Sequence, residues 1–241
     1  MLRCLLIGVL TSGICWSGVA APQALAQQES DTIKSASADD SLFDGRSLQG
    51  WRGDKSVWSV QDGAITGLNT AEKPIPDNTF LIWEGELGDF ELRLKFRIEG
   101  GNSGIQFRSQ DLGDFHVGGY QADIDSADTY IGILYDERGR GILAGRGEKV
   151  EIDAAGERKV VGQTCDPKKF LENYQATEWN EYIVRAEGNH ITQTVNGIVT
   201  VDIVDAAAAG EAKGILALQV HSGPPMKVQF KDITLKRLEK R

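Results

Sequence analysis

Residues 101–125 read GNSGIQFRSQDLGDFHVGGYQADID. The stretch predicts two strands joined by a loop, with unusually polar residues inside strand patterns. Side chains alternate across a strand with period two. In the first strand Ile105 and Phe107 therefore share one face, and Gln106 and Arg108 the other. In the second, Gln121, Asp123 and Asp125 lie opposite Tyr120, Ala122 and Ile124. A solvent-facing sheet would carry a similar pattern. A third segment, Ile215 to His221, repeats it, with Gln219 and His221 opposite Leu216, Leu218 and Val220. Three strands that each offer Arg, Asp, Gln or His predict a polar groove on a sheet, suited to a polar ligand.

The flanking chain reads as a series of strands. Val57 to Val60 and Ala64 to Thr66 flank Asp62-Gly63, a hairpin turn signal. Phe80 to Trp83 is a short apolar strand. From Asp89 to Ile98 the alternation is clean: Phe90, Leu92, Leu94, Phe96 and Ile98 point one way, Glu91, Arg93, Lys95 and Arg97 the other. One sheet face thus lies in a core. Tyr130 to Tyr135, Glu181 to Ala186, and His190 to Val195 continue the series. Asn196-Gly197 turns into Ile198 to Ile203, and Lys227 to Leu238 is a final alternating strand. Asp166 followed by Pro167 predicts one short helix start, and Val204 to Ala212 is compatible with a further helical turn. About a dozen strands in one domain predict an all-β sandwich.

The first residues read as a targeting signal. Arg3 precedes a mostly apolar run from Leu5 to Val19, and Ala24-Leu25-Ala26 is a small-x-small cleavage site. Residues 1–26 are the expected signal peptide, 27–40 a polar, disordered spacer, and 41–241 the folded domain. Export to the periplasm or the exterior follows, without membrane insertion after cleavage; the apolar run is too short and Gly/Ser-rich to span a bilayer. Cys15 lacks the small residue a lipoprotein site needs directly before it.

With 26 Lys+Arg against 35 Asp+Glu, the net charge is −9, and losing Arg3 makes it more negative. Nucleic acid and anionic membrane surfaces are poor partners for such a chain. Cys165 is the one cysteine outside the signal, so the fold is expected to be stable from its core, without an intramolecular disulfide. There is no phosphate-binding Gly loop, no His-x-Glu-x-x-His zinc signature and no Gly-x-Ser-x-Gly elbow. The turn at Gly100 to Gly104 enters a strand rather than a helix, so Ser103 is not expected to be a nucleophile.

An ordered set of short motifs spans Ser41 to Leu238: Leu42-Phe43-Asp44-Gly45-x-Ser47-Leu48-x-Gly50-Trp51, Asp89-Phe90-Glu91-Leu92, and Gly101-Asn102-Ser103-Gly104-Ile105 with Arg108. Gly119-Tyr120-Gln121, Glu178-Trp179-Asn180, Asn196-Gly197, Gly214-x-x-x-Leu218-Gln219-x-His221 and Phe230-x-Asp232-Ile233 follow. Together they resemble the 3-keto-disaccharide hydrolase-like domain family. The resemblance implies a concanavalin A-like jelly roll whose curved sheet forms a carbohydrate groove. It also implies cleavage of 3-keto-glycosides by 1,2-elimination and hydration, a net hydrolysis. One departure stands out. Where family members commonly carry Glu-x-Gln after the Gly-aromatic pair, this chain has Gln121-Ala122-Asp123.

A ketone at C3 acidifies the C2 hydrogen. The chemistry then needs a base, a group for the enolate oxygen and an acid for the leaving oxygen. His221 is the expected base or acid, since histidine titrates near neutrality, with Asp123 as alternative base. Arg108, permanently charged, is expected to hold the enolate oxygen. Gln121 and Gln219 would orient sugar hydroxyls and Trp179 would stack on the ring, or pack as core. Asn102, Asp125 and Tyr135 complete the expected substrate-binding set. His116 is expected in a Gly/Asp-rich loop, and His190, after a Gly-Asn turn, is expected to face solvent. Two other classes stay open: a non-catalytic, lectin-like module, since fold does not fix function, and an enzyme using a divalent metal ion held by Asp123 and Asp125.

Overall fold

A computed structural model describes Met1 and residues 40–207 and 212–239. Apart from Met1 and Asp40, the expected signal peptide and spacer lie outside the described residues. The strands are β1 (Asp40–Ser41), β2 (Trp51–Arg52), β3 (Trp58–Gln61), β4 (Ala64–Asn69), β5 (Thr79–Trp83) and β6 (Phe90–Glu99). Next come β7 (Asn102–Gly113), β8 (His116–Asp125), β9 (Leu134–Glu137), β10 (Gly141–Ala144), β11 (Glu148–Ile152) and β12 (Arg158–Gln163). A short helix, α1 (Pro167–Glu172), precedes β13 (Asn180–Glu187), β14 (His190–Val195), β15 (Ile198–Asp205), β16 (Ile215–Val220) and β17 (Met226–Arg237).

These strands form two sheets. The larger runs β12-β11-β15-β14-β13-β6-β17-β4-β3, with β1 paired to β17; the smaller runs β10-β9-β8-β7-β16-β5-β2. The alternation seen in the sequence sets what lies between them. Phe90, Leu92, Leu94, Phe96 and Ile98 of β6 are buried in one cluster with Tyr120, Ala122 and Ile124 of β8 and Leu216, Leu218 and Val220 of β16. Period-two burial on two facing sheets defines a β-sandwich.

The smaller sheet carries the irregularity that matters most. The pairing of β7 with β8 loses register between Gln106 and Gln110, and Arg108 there sits at φ 49°. A left-handed residue inside a strand marks a bulge that bends the chain. Beyond it the hairpin folds across the outer face. Phe80 of β5 donates its N–H to the Phe115 carbonyl at 3.0 Å, although β16 and β7 separate β5 from β8 in the sheet. Arg52 pairs with Asp111, and His116 and Arg138 both pair with Asp77. Under the folded-over tip lies a second apolar group: Phe80, Ile82, Val117 and Ala217.

Several expectations change. The bulge breaks the alternation that put Arg108 beside Gln106. Arg108 is 1% exposed and reaches toward the larger sheet instead. Its guanidinium donates to the Gly88 carbonyl at 2.8 Å, the Gly188 carbonyl at 2.6 Å and the Asp89 carboxylate at 2.7 Å. Strand β9 begins at Leu134, not Tyr130. Asp125 accepts from the amides of Ala127, Thr129 and Tyr130 at 2.9–3.1 Å and so holds residues 126–132 as a loop. His116 opens β8 rather than lying in the loop, while His190 is exposed and bonded to Asp202. Asp40 is not spacer but the first residue of β1, opposite Leu235. Val204 and Asp205 extend β15 instead of starting a helix. The helix at Asp166 forms as expected, with the Asp166 carboxylate capping Lys168 and Lys169. Strands β10, β11 and β12 had no counterpart in the sequence reading.

Arg108 therefore ties the bulge to the larger sheet, and removing one partner of a buried ion pair costs about 3–5 kcal/mol. Urea unfolding of Arg108→Ala should show a loss of that size; a loss below about 1 kcal/mol would contradict the clamp.

Candidate functional site

The outer face of the smaller sheet carries rows of side chains fixed by strand register. Gln106 of β7 lies opposite Gln121 of β8, which lies opposite Tyr135 of β9. In the next row Gly104 lies opposite Asp123, and the pairing of Leu218 with Ile105 brings Gln219 to the other side of Gly104. His221 follows directly after β16, beside Asn102 at the start of β7. Above this floor opens a cleft of about 450 Å³, within the usual range for small-ligand sites. Its lining includes Asn102, Gln121, Asp123, Tyr135, Gln219 and His221, six of the nine residues expected from sequence.

The other three lie elsewhere. Arg108 is the clamp described above. Asp125 is buried and engaged with its own loop, so it shapes the site without facing the ligand. Trp179 lies beside β6 and β17 of the larger sheet, with the Arg97 guanidinium 4.7 Å and the Lys231 ammonium 4.1 Å from its ring centre. It is a surface cation–π cluster, not a sugar platform of this cleft. Asn78, Tyr130, Glu137 and Ile142 also line the cleft. Of these, Glu137 was legible, since it shares a strand face with Tyr135 by period two. Asn78 and Tyr130 stand in loops, where no periodicity marks them.

The floor is a chain of hydrogen bonds. Ser109 Oγ donates to Gln106 Oε1 at 2.6 Å, Gln106 Nε2 to Gln121 Oε1 at 2.8 Å, and Gln121 Nε2 to Asp123 Oδ1 at 2.6 Å. The Gln121 amide lies across Gly104: a Cβ there would meet Gln121 Cδ at 2.4 Å. Gln219 is fully buried, its Oε1 a long 3.5 Å from Gln121 Nε2, and its own Nε2 has no partner. An unsatisfied buried donor costs about 1–3 kcal/mol, so a ligand acceptor in the cleft would relieve that cost.

Two carboxyls are displaced in titration. Burial pushes Asp123 well above the usual carboxylate range, and the like charges of Glu137 and Asp125 add to it, against the Gln121 bond. Burial likewise raises Glu137, opposed by Arg138, His221 and Asn78. His221 Nδ1 lies 2.6 Å from the Ser222 carbonyl. A carbonyl only accepts, so Nδ1 carries a proton and Nε2 is the free nitrogen of the neutral ring. The following turn is pinned by Asn69, whose amide donates to the carbonyls of Gly223 and Pro224, and by Asn78, which accepts from Ser222. Among the described residues no three His, Cys, Asp or Glu side chains are grouped to hold a metal ion, and Asp125 is already engaged, so the expected Asp123–Asp125 pair does not make a metal site.

A two-sheet jelly roll with a polar cleft on its smaller sheet is the architecture of carbohydrate-active sandwiches. The chain belongs to the 3-keto-alpha-glucoside-1,2-lyase-like domain family, whose sequence profile matches residues 39–236. A 3-keto-disaccharide hydrolase of Bacteroides thetaiotaomicron is 35% identical over 79 residues, a match spanning 30% of this chain and 27% of that relative. A candidate glycosyl hydrolase from Parabacteroides distasonis shares the fold at TM-score 0.56 and 20% identity, over 84% of this chain and 100% of its own. The carbohydrate-binding module CBM66 of Bacillus subtilis does so at TM-score 0.52 and 16% identity, over 78% and 95%. The concanavalin A-like fold read from the sequence is thus the fold of the protein. Among the described residues no helix is long and apolar enough to cross a membrane.

Two predictions follow from the floor. In Gly104→Ala the new methyl must expel the Gln121 amide from between Gln106 and Asp123; thermal melts should show a folded protein, and isothermal titration a weakening of sugar binding by about 10-fold or more, as for one to two lost hydrogen bonds. Unchanged affinity would mean that Gln121 does not order the cleft. Asp123 has a folded-state pKa above its unfolded one, so its stabilising protonation is complete below about pH 4 and is lost as pH rises through the raised value. Asp123→Asn keeps the acceptor for Gln121 but has no proton to lose. Its unfolding free energy should exceed the wild type's at pH 8 and match it near pH 4. Parallel curves across that range would refute the buried charge.

Proposed function

We propose that this chain is an exported carbohydrate-active enzyme that cleaves 3-keto-glycosides by elimination and hydration. The observation that carries the reading is one cleft holding a free His221 Nε2, a buried carboxyl hydrogen-bonded to Gln121 and an unpartnered buried amide. His221 Nε2 removes the C2 hydrogen as a base, and negative charge develops on the C3 oxygen. Gln219 Nε2 donates to that oxygen, the role the sequence had given to Arg108. Asp123, whose hold on a proton burial strengthens, gives that proton to the departing C1 oxygen. The C1–O bond breaks, the alcohol leaves and a C1=C2 double bond remains. Water then adds across it: the Asp123 carboxylate takes back a proton from the water as its hydroxyl joins C1, and the His221 imidazolium returns its proton to C2. The exchange of acid and amide at Gln121 and Asp123 is compatible with this scheme, because the two side chains are neighbours bonded to each other.

The test is incubation with a 3-keto-glucoside and detection of 3-keto-glucose or its glucal. His221→Ala should lower kcat by about 10²–10⁴-fold, the usual contribution of a general acid–base group, with KM moving less than 10-fold. His116→Ala and His190→Ala, both outside the cleft, serve as controls with kcat near wild type. A folded His221→Ala protein with normal kcat would transfer the base role to a carboxylate. Binding of the 3-keto-glucoside without turnover in the unmutated protein would replace the enzyme by a lectin-like module.

A further inference from the structure

Next to the central cleft lies a second one of about 280 Å³, and the two share Asn102, Tyr130 and His221. Their chemistry differs. The central floor presents amides and carboxyls, including a buried donor without a partner. Away from the three residues shared with the central cleft, the polar side chains of the adjoining pocket are already engaged. Asp125 accepts from three amides of its own loop, Ser126 Oγ donates to the Gly101 carbonyl, and Ser222 Oγ lies 3.3 Å from Asn78 Oδ1. What remains is apolar: the Tyr130 ring, Ala127, Pro224 and Met226. Tyr130 is 46% exposed, an aromatic left open to solvent on a loop that a buried carboxylate holds in place. Rings presented in this way bind flat apolar partners at little entropic cost, and Met226 adapts to their shape.

We propose that this second pocket is the leaving-group subsite, and that it takes an aromatic aglycone rather than a second sugar. The assignment rests on reading the central cleft as the 3-keto-glycoside site. A sugar ring carries hydroxyls along its whole edge, and burying them against satisfied side chains leaves each without a partner. An aryl group has no such requirement. It gains from contact with Tyr130 and Met226, while its 3-keto-glucosyl ring occupies the polar floor next door. The volume holds one or two rings, not an oligosaccharide chain.

The test compares 2-phenylethyl, methyl and glucosyl 3-keto-glucosides of one anomeric configuration. The first two release similar alkoxides, so a difference between them reports the ring and not leaving-group chemistry. The expected result is a KM at least 10-fold lower for the phenylethyl than for the methyl compound. Tyr130→Ala and Ala127→Phe should each reduce that preference by about 10-fold, the first by removing the platform and the second by filling the pocket. Equal KM values for phenylethyl and methyl, with turnover intact, overturn the subsite and leave the proposed reaction standing. A preference for the glucosyl compound that Tyr130→Ala abolishes overturns the aromatic class and makes the pocket a sugar subsite. If none of the three is turned over, the proposed reaction fails. Calorimetric affinities for the same compounds then decide the subsite, a 10-fold preference for phenylethyl that depends on Tyr130 supporting it and equal affinities overturning it.

Discussion

The bend of the smaller sheet depends on one residue in the wrong half of conformational space. Arg108 adopts a left-handed backbone conformation that an unbranched strand would not tolerate without compensation. The compensation is its own side chain, which bonds two carbonyls and a carboxylate at the ends of the central strands β6 and β13 of the facing sheet. The bulge and the clamp stabilise each other. Together they turn the end of a long hairpin over its own sheet and cover Phe80 and Ile82. A charged residue buried this way is a scaffold element, and its loss would be felt through the shape of the site.

The second constraint is spatial economy on the floor. Three amides and a carboxyl are packed into adjacent rows of three strands, and they fit because Gly104 contributes no side chain. The same crowding removes water from Asp123 and raises its affinity for a proton. Such a carboxyl is costly to the fold, since a group that can ionise is more expensive to bury than the amide that would replace it.

How much of this the sequence disclosed follows from how regular each segment is. Period-two alternation placed Gln121, Asp123, Gln219 and His221 on one face because β8 and β16 are uninterrupted there. The same rule misplaced Arg108, because a bulge shifts the count by one and nothing local in Phe107-Arg108-Ser109 announces it. Trp179 was assigned to sugar stacking by its type alone; register puts it on the other sheet. Asp125 looked like a ligand-binding carboxylate until the loop amides that it caps were visible. Strands β10 to β12 are short or fully exposed, so they carry little apolar pattern to read. The composition and turn signals were enough for the sandwich; the long-range pairings that assemble the cleft are not local properties of any segment.

Strand β17 occupies the middle of the larger sheet, between β6 and β4, and its Val228, Phe230, Ile233 and Leu235 are buried in the shared core. It pairs with both neighbours across long stretches of sequence, so β6 and β4 keep open edges and exposed apolar faces until β17 enters between them. Such long-range pairing makes cooperative folding slow. Deleting this strand would remove the keystone of a sheet and not a dispensable segment.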